Sequence, residues 1–288
     1  MFVSTKSLVA VSALALSLSA TPLVPGPAQA QIGVQSGVAA VASPSLGQAA
    51  KTRQPRREGY RMRITTFNIL SSAHRSGGLD RARRAARWVQ KQGAVAAAFQ
   101  EVAKDQLRQL QRTMPGYSFY PRRTLGTRGS AIQIGWKNSE VKLIKTGYVM
   151  RPFLRHQRPI PWVRLKDRET GRNFLVMAIH NSPGGHEAER DISTRKEIAQ
   201  IKKMLNTGYP VFVVGDVNER SEFCEKVARA TPLISMNGGT RKNPCPVPRY
   251  GGPDWMLGGG AGAAFKGFKK DYNGISDHPA LTAHVRVP

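Results

Sequence analysis

Six apolar runs in this chain stop or start abruptly at a polar residue, and that repeated break limits the folds it can adopt. Ile64-Thr65-Thr66-Phe67 ends at Asn68, and Val95-Ala96-Ala97-Ala98-Phe99 runs into Gln100-Glu101. Phe174-Leu175-Val176-Met177-Ala178-Ile179 ends at His180, and Val211-Phe212-Val213-Val214 is followed by Gly215-Asp216-Val217-Asn218. Asp254 opens Asp254-Trp255-Met256-Leu257, and Asp277-His278 precedes the alternating Leu281-Thr282-Ala283-His284-Val285. Short runs of this composition read as strands. Side chains alternate along extended chain, so positions 216 and 218 can leave their strand end on the same side. Carboxylates, carboxamides and imidazoles gathered at strand ends can hold a metal and a phosphate and move protons around them. The pattern points to phosphodiester chemistry.

Strands are predicted over 62–69, 95–99, 131–136, 173–180, 211–214 and 280–287, and helices over 79–91, 104–112 and 187–205. In the last helix Ala188, Ile192, Ile198, Ile201 and Leu205 recur at roughly helical spacing. Strands dominate, with helices between some of them, which suggests sheets packed face to face with helices outside. No internal repeat is visible, and 288 residues can bury one large core.

The first thirty residues read as a signal peptide. Lys6 gives a positive start, Leu8 to Leu18 is apolar apart from serines, and Ala28-Gln29-Ala30 is a small-x-small cleavage site. The apolar stretch is too short to span a bilayer. A secreted, extracellular protein cut after Ala30, with no integral membrane association, is expected. Residues 31–57 are rich in Ala, Gly, Ser, Val and Gln, carry no aromatic residue and turn basic at the end. They read as a disordered linker, which leaves 58–288 as the folded domain.

The chain has 44 basic and 18 acidic residues, a formal charge of +26. Without residues 1–30, which hold one Lys and no acid, 43 and 18 remain, or +25. Such an excess favours polyanionic partners and steers them from a distance. The positives come in runs: Lys51, Arg53, Arg56, Arg57, Arg61 and Arg63, then Arg81, Arg83, Arg84, Arg87 and Lys91 on an expected helix. Arg81, Arg84 and Arg87 are candidates for phosphate contacts that carry no sequence preference; the plainer alternative is a solvated helix face. Cys224 and Cys245 are the only cysteines. An exported chain meets an oxidising environment, so they are expected to pair.

In this order the segments resemble the endonuclease/exonuclease/phosphatase superfamily, and within it the deoxyribonuclease I-like branch. The residues that carry the resemblance are Thr66-Phe67-Asn68-Ile69, Gln100-Glu101-Val102, Ile179-His180-Asn181-Ser182-Pro183, Gly215-Asp216-Val217-Asn218, Pro253-Asp254-Trp255 and Ser276-Asp277-His278. The two cysteines fit a disulfide of that branch. The resemblance implies an α/β fold, a four-layer α/β/β/α sandwich of two packed mixed sheets, acting as a monomer on nucleic acid. It implies that Glu101 binds Mg²⁺ or Mn²⁺ with Asn68 beside it, with a structural Ca²⁺ as a further candidate cofactor. Asp216 and Asn218 would orient the attacking water and the scissile phosphate. His278, paired with Asp254, and His180 would form the acid/base couple, and Asp277 would help to hold metal or phosphate.

One departure from the branch stands out. Upstream of His180, Arg158-Pro159-Ile160-Pro161 offers no acid to orient that histidine. Two other functions stay open on the sequence: hydrolysis of another phosphoester, such as a sphingolipid head group or an inositol phosphate, and non-catalytic binding of extracellular nucleic acid. Scattered Phe265 and Phe268, with no clustered aromatic hairpin, weigh against the lipid. Intact site positions weigh against the binder.

Overall fold

The computed structural model describes residues 59–122, 131–246 and 252–288; the expected leader (1–30) and linker (31–57) lie outside them. Among the described residues twelve strands form two six-stranded sheets. The first contains β1 (Tyr60–Asn68), β2 (Ala96–Gln100), β3 (Tyr117–Tyr120), β4 (Ile132–Lys137), β11 (Ala264–Asp271) and β12 (Ala280–Val287) in the order β11-β12-β1-β2-β4-β3. The second contains β5 (Val141–Phe153), β6 (His156–Asp167), β7 (Asn173–His180), β8 (Val211–Asp216), β9 (Ile234–Ser235) and β10 (Asp254–Gly259) in the order β5-β6-β7-β8-β10-β9. Each sheet is mixed, because β1 with β2 and β7 with β8 run parallel while the other neighbours run antiparallel.

Alternation decides what lies between the sheets. Met62, Ile64 and Thr66 of β1 share a face with Ala96 and Ala98 of β2 and with Leu281, Ala283 and Val285 of β12. These meet Phe174, Val176 and Ala178 of β7 and Phe212 and Val214 of β8 in one buried core. The opposite face of the first sheet carries Phe67, Ala97 and Phe99, which are covered by α1 (Gly78–Lys91) and α2 (Lys104–Thr113). In α1, Ala82, Ala85, Ala86 and Val89 recur at one-turn spacing on the sheet side. Helices α3 (Glu187–Leu205) and α4 (Glu222–Ala230) pack on the second sheet through Ile201, Met204, Phe223 and Val227. The result is the expected four-layer α/β/β/α sandwich.

Two local features depart from simple hydrophobic patterning. The inward face of α3 changes character along the helix: in its second half Ile198, Ile201 and Leu205 pack on the core, whereas in its first half Ala188 and Ile192 are exposed and Arg190, Ser193, Thr194 and Glu197 are buried. Those polar groups hold the chain after β7. Arg190 Nη1 donates to the carbonyls of Ser182 (2.9 Å) and Gly184 (2.7 Å), and Asn181 Nδ2 donates to Glu197 Oε2 (3.3 Å). The stretch around Arg158-Pro159-Ile160-Pro161 is a strand despite its prolines. β6 pairs with β7 only from Trp162 onward, so residues 156–161 pair with β5 alone, and an edge tolerates missing N–H donors. Cys224 and Cys245 form the expected disulfide.

Candidate active site

The strand register lines up the polar stops. His180 of β7 pairs with Asp216 of β8, and Asp216 pairs with Asp254 of β10, so all three stand in one row across the second sheet. Gly215 permits the close spacing of that row, since a Cβ there would fall on the Ile179 carbonyl oxygen. Asn68, at the end of β1 in the other sheet, reaches across. Its Nδ2 donates to Asp216 Oδ2 (3.0 Å) and to Glu101 Oε1 (3.1 Å). His278 arrives from the turn before β12, with Nδ1 3.0 Å from Asp254 Oδ2 and Nε2 3.7 Å from Asp216 Oδ2. His180 Nε2 also lies 3.7 Å from that Asp216 oxygen. The Asn218 backbone N–H donates to Asp216 Oδ1 (3.0 Å), and its Nδ2 donates to the Asn181 carbonyl (2.8 Å). Glu101, Asn218 and Leu70 hold positive φ angles of 58°, 52° and 52°. Such backbone is uncommon for non-glycine residues and clusters at sites where geometry outranks relaxation.

Electrostatics separates the two histidines. Burial, helped by the neighbouring Arg151 charge, lowers the His180 pKa to about 3, so this imidazole is neutral. No acid orients it. Its ring instead packs edge-on against Phe153 at 5.2 Å, and Arg151 and Arg158 stack on the same Phe153 ring at 4.5 and 4.2 Å. His278 is opposite in character. Burial alone would lower its pKa, but the Asp254 hydrogen bond and charge, with Asp216 and Asp277, outweigh that and raise it to about 9. Asp216 is pushed up to about 7 by its burial and by the Asp254 charge. Burial would also raise Glu101, yet donors from Ser71 and Asn68 hold it below the usual carboxylate range.

The loop between β1 and α1 supplies parts that no motif announced. Arg81 is buried, and its guanidinium donates to the carbonyls of Ile69 (3.3 Å), Leu70 (3.0 Å), Ser71 (3.4 Å), Arg75 (2.7 Å) and Ser76. Gln106 of α2 accepts from Ser72 N–H (3.1 Å) and donates to the Leu70 carbonyl (3.1 Å). So fixed, the loop directs Ser71 N–H to Glu101 Oε2 (3.1 Å) and places His74 Nδ1 2.9 Å from the same oxygen. Arg81 was expected at phosphate; in the structure its donors are taken by backbone carbonyls, and it is a loop anchor. Arg84 and Arg87 are exposed on α1. Arg84 joins Arg75, Arg81 and Asp277 in lining a cavity of about 370 Å³ between this loop, α1 and the 274–277 turn. Asp277 is exposed there and accepts from its neighbour Ser276 (3.0 Å) rather than joining the Asp216, Asp254 and His278 cluster. Asn68, expected beside a metal, is here a donor clamp between Glu101 and Asp216, while its Oδ1 accepts from Leu70 N–H (3.1 Å).

No family model and no curated protein sequence matches the chain. Solved structures do. An endonuclease/exonuclease/phosphatase family protein from Bacteroides thetaiotaomicron gives a TM-score of 0.65 at 14% identity, covering 80% of this chain and 99% of that one. The mannosyl-6-phosphatase of the same species gives 0.62 at 15% identity, covering 78% and 99%. TDP2 of D. rerio, solved with a single-strand DNA product, gives 0.62 at 16% identity, covering 78% and 98%. At these identities the likeness is one of fold. The chain thus has the fold of the endonuclease/exonuclease/phosphatase proteins, the family that its strand-end motifs resemble.

Proposed function

We propose that the chain is a secreted, divalent-metal-dependent phosphodiesterase whose substrate is nucleic acid, with DNA the leading candidate, cut internally to leave 5′-phosphate ends. The observation that carries this reading is the meeting of Asp216 Oδ2 with two histidines of opposite character, each at 3.7 Å. Asp216, its pKa raised to about 7, can take a proton from a water near neutral pH. His278, held protonated by Asp254, can donate to a phosphoryl oxygen or to the leaving oxygen. Neutral His180 and Asn218 would position the phosphate between them. In-line attack would then expel the 3′ oxygen.

The donor set suits a hard divalent ion. Glu101 stays ionised at the mouth, and Asp254 Oδ1 is buried without a partner beside a second buried carboxylate. Glu101, with Asn68 next to it, would hold Mg²⁺ or Mn²⁺. Such an ion offsets the charge that grows on phosphoryl and leaving oxygens. The formal charge of +25 left after cleavage at Ala30 supports a polyanionic substrate, and the solved fold neighbour with a DNA product supports nucleic acid. Exposed Arg84 and Arg87 are proposed to contact phosphates beside the site.

The test is supercoiled plasmid with and without Mg²⁺ or Mn²⁺, next to His278→Ala. Metal-dependent nicking that vanishes in the variant is expected. A folded protein that leaves plasmid and RNA intact would overturn the nuclease reading. The solved mannosyl-6-phosphatase keeps a second reading in view, hydrolysis of a smaller phosphoester, and a sugar-phosphate arm of the assay decides between them.

A further inference from the structure

His74 lies outside the motifs that mark the strand ends, yet its Nδ1 is 2.9 Å from Glu101 Oε2. Two observations set this contact apart from an incidental surface ion pair. The imidazole itself is largely exposed, and a pair of that kind contributes little by itself. What holds it in place is the loop. Arg81 binds the carbonyls on both sides of His74, Gln106 binds Ser72 and Leu70, and the His74 N–H donates to the Ser71 carbonyl at 3.0 Å. The second observation is the spacing. Adjacent ligands of an octahedral ion with bonds of roughly 2.0–2.1 Å lie about 3 Å apart. Glu101 Oε2 and His74 Nδ1 stand at that separation, joined here by a hydrogen bond of the same length, and the imidazole faces solvent, so an ion could take the place of the shared proton with both atoms kept where they are.

We propose that His74 is a ligand of the divalent ion held at Glu101, adding an imidazole nitrogen to an oxygen site and so favouring later first-row ions such as Co²⁺ over Mg²⁺. The inference rests on the metal-dependent reading of the site given above. Its chemical basis is that Mg²⁺ prefers oxygen, whereas nitrogen ligands strengthen binding along the series from Mn²⁺ to Cu²⁺.

The test uses the purified protein and its His74→Ala and Glu101→Gln variants, with Co²⁺ and Mg²⁺ titrated by calorimetry and Mn²⁺ studied by pulsed EPR. His74→Ala is expected to weaken Co²⁺ by about tenfold or more while Mg²⁺ changes little, in line with losses of 10–100-fold on disturbing metal shells. An imidazole nitrogen coupled to Mn²⁺ should be present in the wild type and absent in His74→Ala. Unchanged melting of that exposed-site variant confirms that the fold is kept. A nitrogen coupling that survives His74→Ala, or equal effects on Co²⁺ and Mg²⁺, would overturn the assignment while leaving the metal site standing. If neither ion binds the wild type, or if Glu101→Gln binds as well as wild type, the metal reading falls as well.

Discussion

The charge on His278 is set by carboxylates that are themselves out of water. Asp254 holds the imidazolium, so the protonated form persists until the pH passes about 9. If that proton serves the leaving oxygen, kcat/KM should fall on the alkaline side as His278 deprotonates. Asp254→Asn removes the charge that raises the pKa, so this limb should move to lower pH; an unmoved limb would remove His278 as the acid. His278→Ala should cost roughly 10²–10⁴ in rate, the usual contribution of a positioned acid or base. Glu197 offers a separate test. Burial raises its pKa to about 7, so the folded state favours its neutral form. Its contribution to stability is therefore complete below about 4.5 and is lost as the pH rises through 7. The Glu197 share of the unfolding free energy, read from denaturant titrations, should decline from pH 5 to 8 by up to about 3 kcal/mol at 1.36 kcal/mol per pKa unit, and Glu197→Gln should remove that share. A slope unchanged in the variant would mean that Glu197 is ionised beside Arg151.

Secondary elements differ in how plainly the sequence announces them. β2, β7 and β8 are largely apolar runs because both their faces are covered, and their polar stops, with that of β1, mark the site directly. The β5–β6 hairpin was not foreseen. Lys142, Ile144 and Lys145 are exposed on its outer strand, and its prolines lie where β6 lacks a second neighbour, so neither alternation nor an apolar run survives. In helix α3 the apolar positions 198, 201 and 205 meet the core, but the first half departs, since its buried face makes hydrogen bonds that hydropathy does not register. Arg81 and His74 were hidden for a related reason: an arginine in a basic helix and a histidine in a polar loop look like solvated groups until the loop closes on them. Arg81→Met keeps the aliphatic stem but strands the carbonyls from Ile69 to Ser76. With charged hydrogen bonds worth about 1.5–3 kcal/mol, it should lower the melting temperature by roughly 5 °C or more. An unchanged melting temperature would mean that water replaces the guanidinium without loss.

At the scale of the whole molecule, the disulfide ties the segment after β8 back toward β10. Its 21-residue separation corresponds to about 3 kcal/mol of stability in the chain-entropy model. Reduction, or Cys224→Ala with Cys245→Ala, should lower the melting temperature, and calorimetry that finds no change would deny the bridge a stabilising role. Activity on DNA should also fall steeply between low and physiological salt, because the excess charge works through displaced counterions. The pairing of β1 with β12 has a consequence for timing. Among the described residues the first strand is completed by the last, and His278 sits immediately before that last strand. A chain still emerging from the ribosome can therefore assemble the second sheet, with His180, Asp216 and Asp254 in their row, while lacking the imidazole that faces them. Contacts so distant in sequence form slowly. Competence thus arrives in one late step, and a partly made chain is a scaffold without teeth.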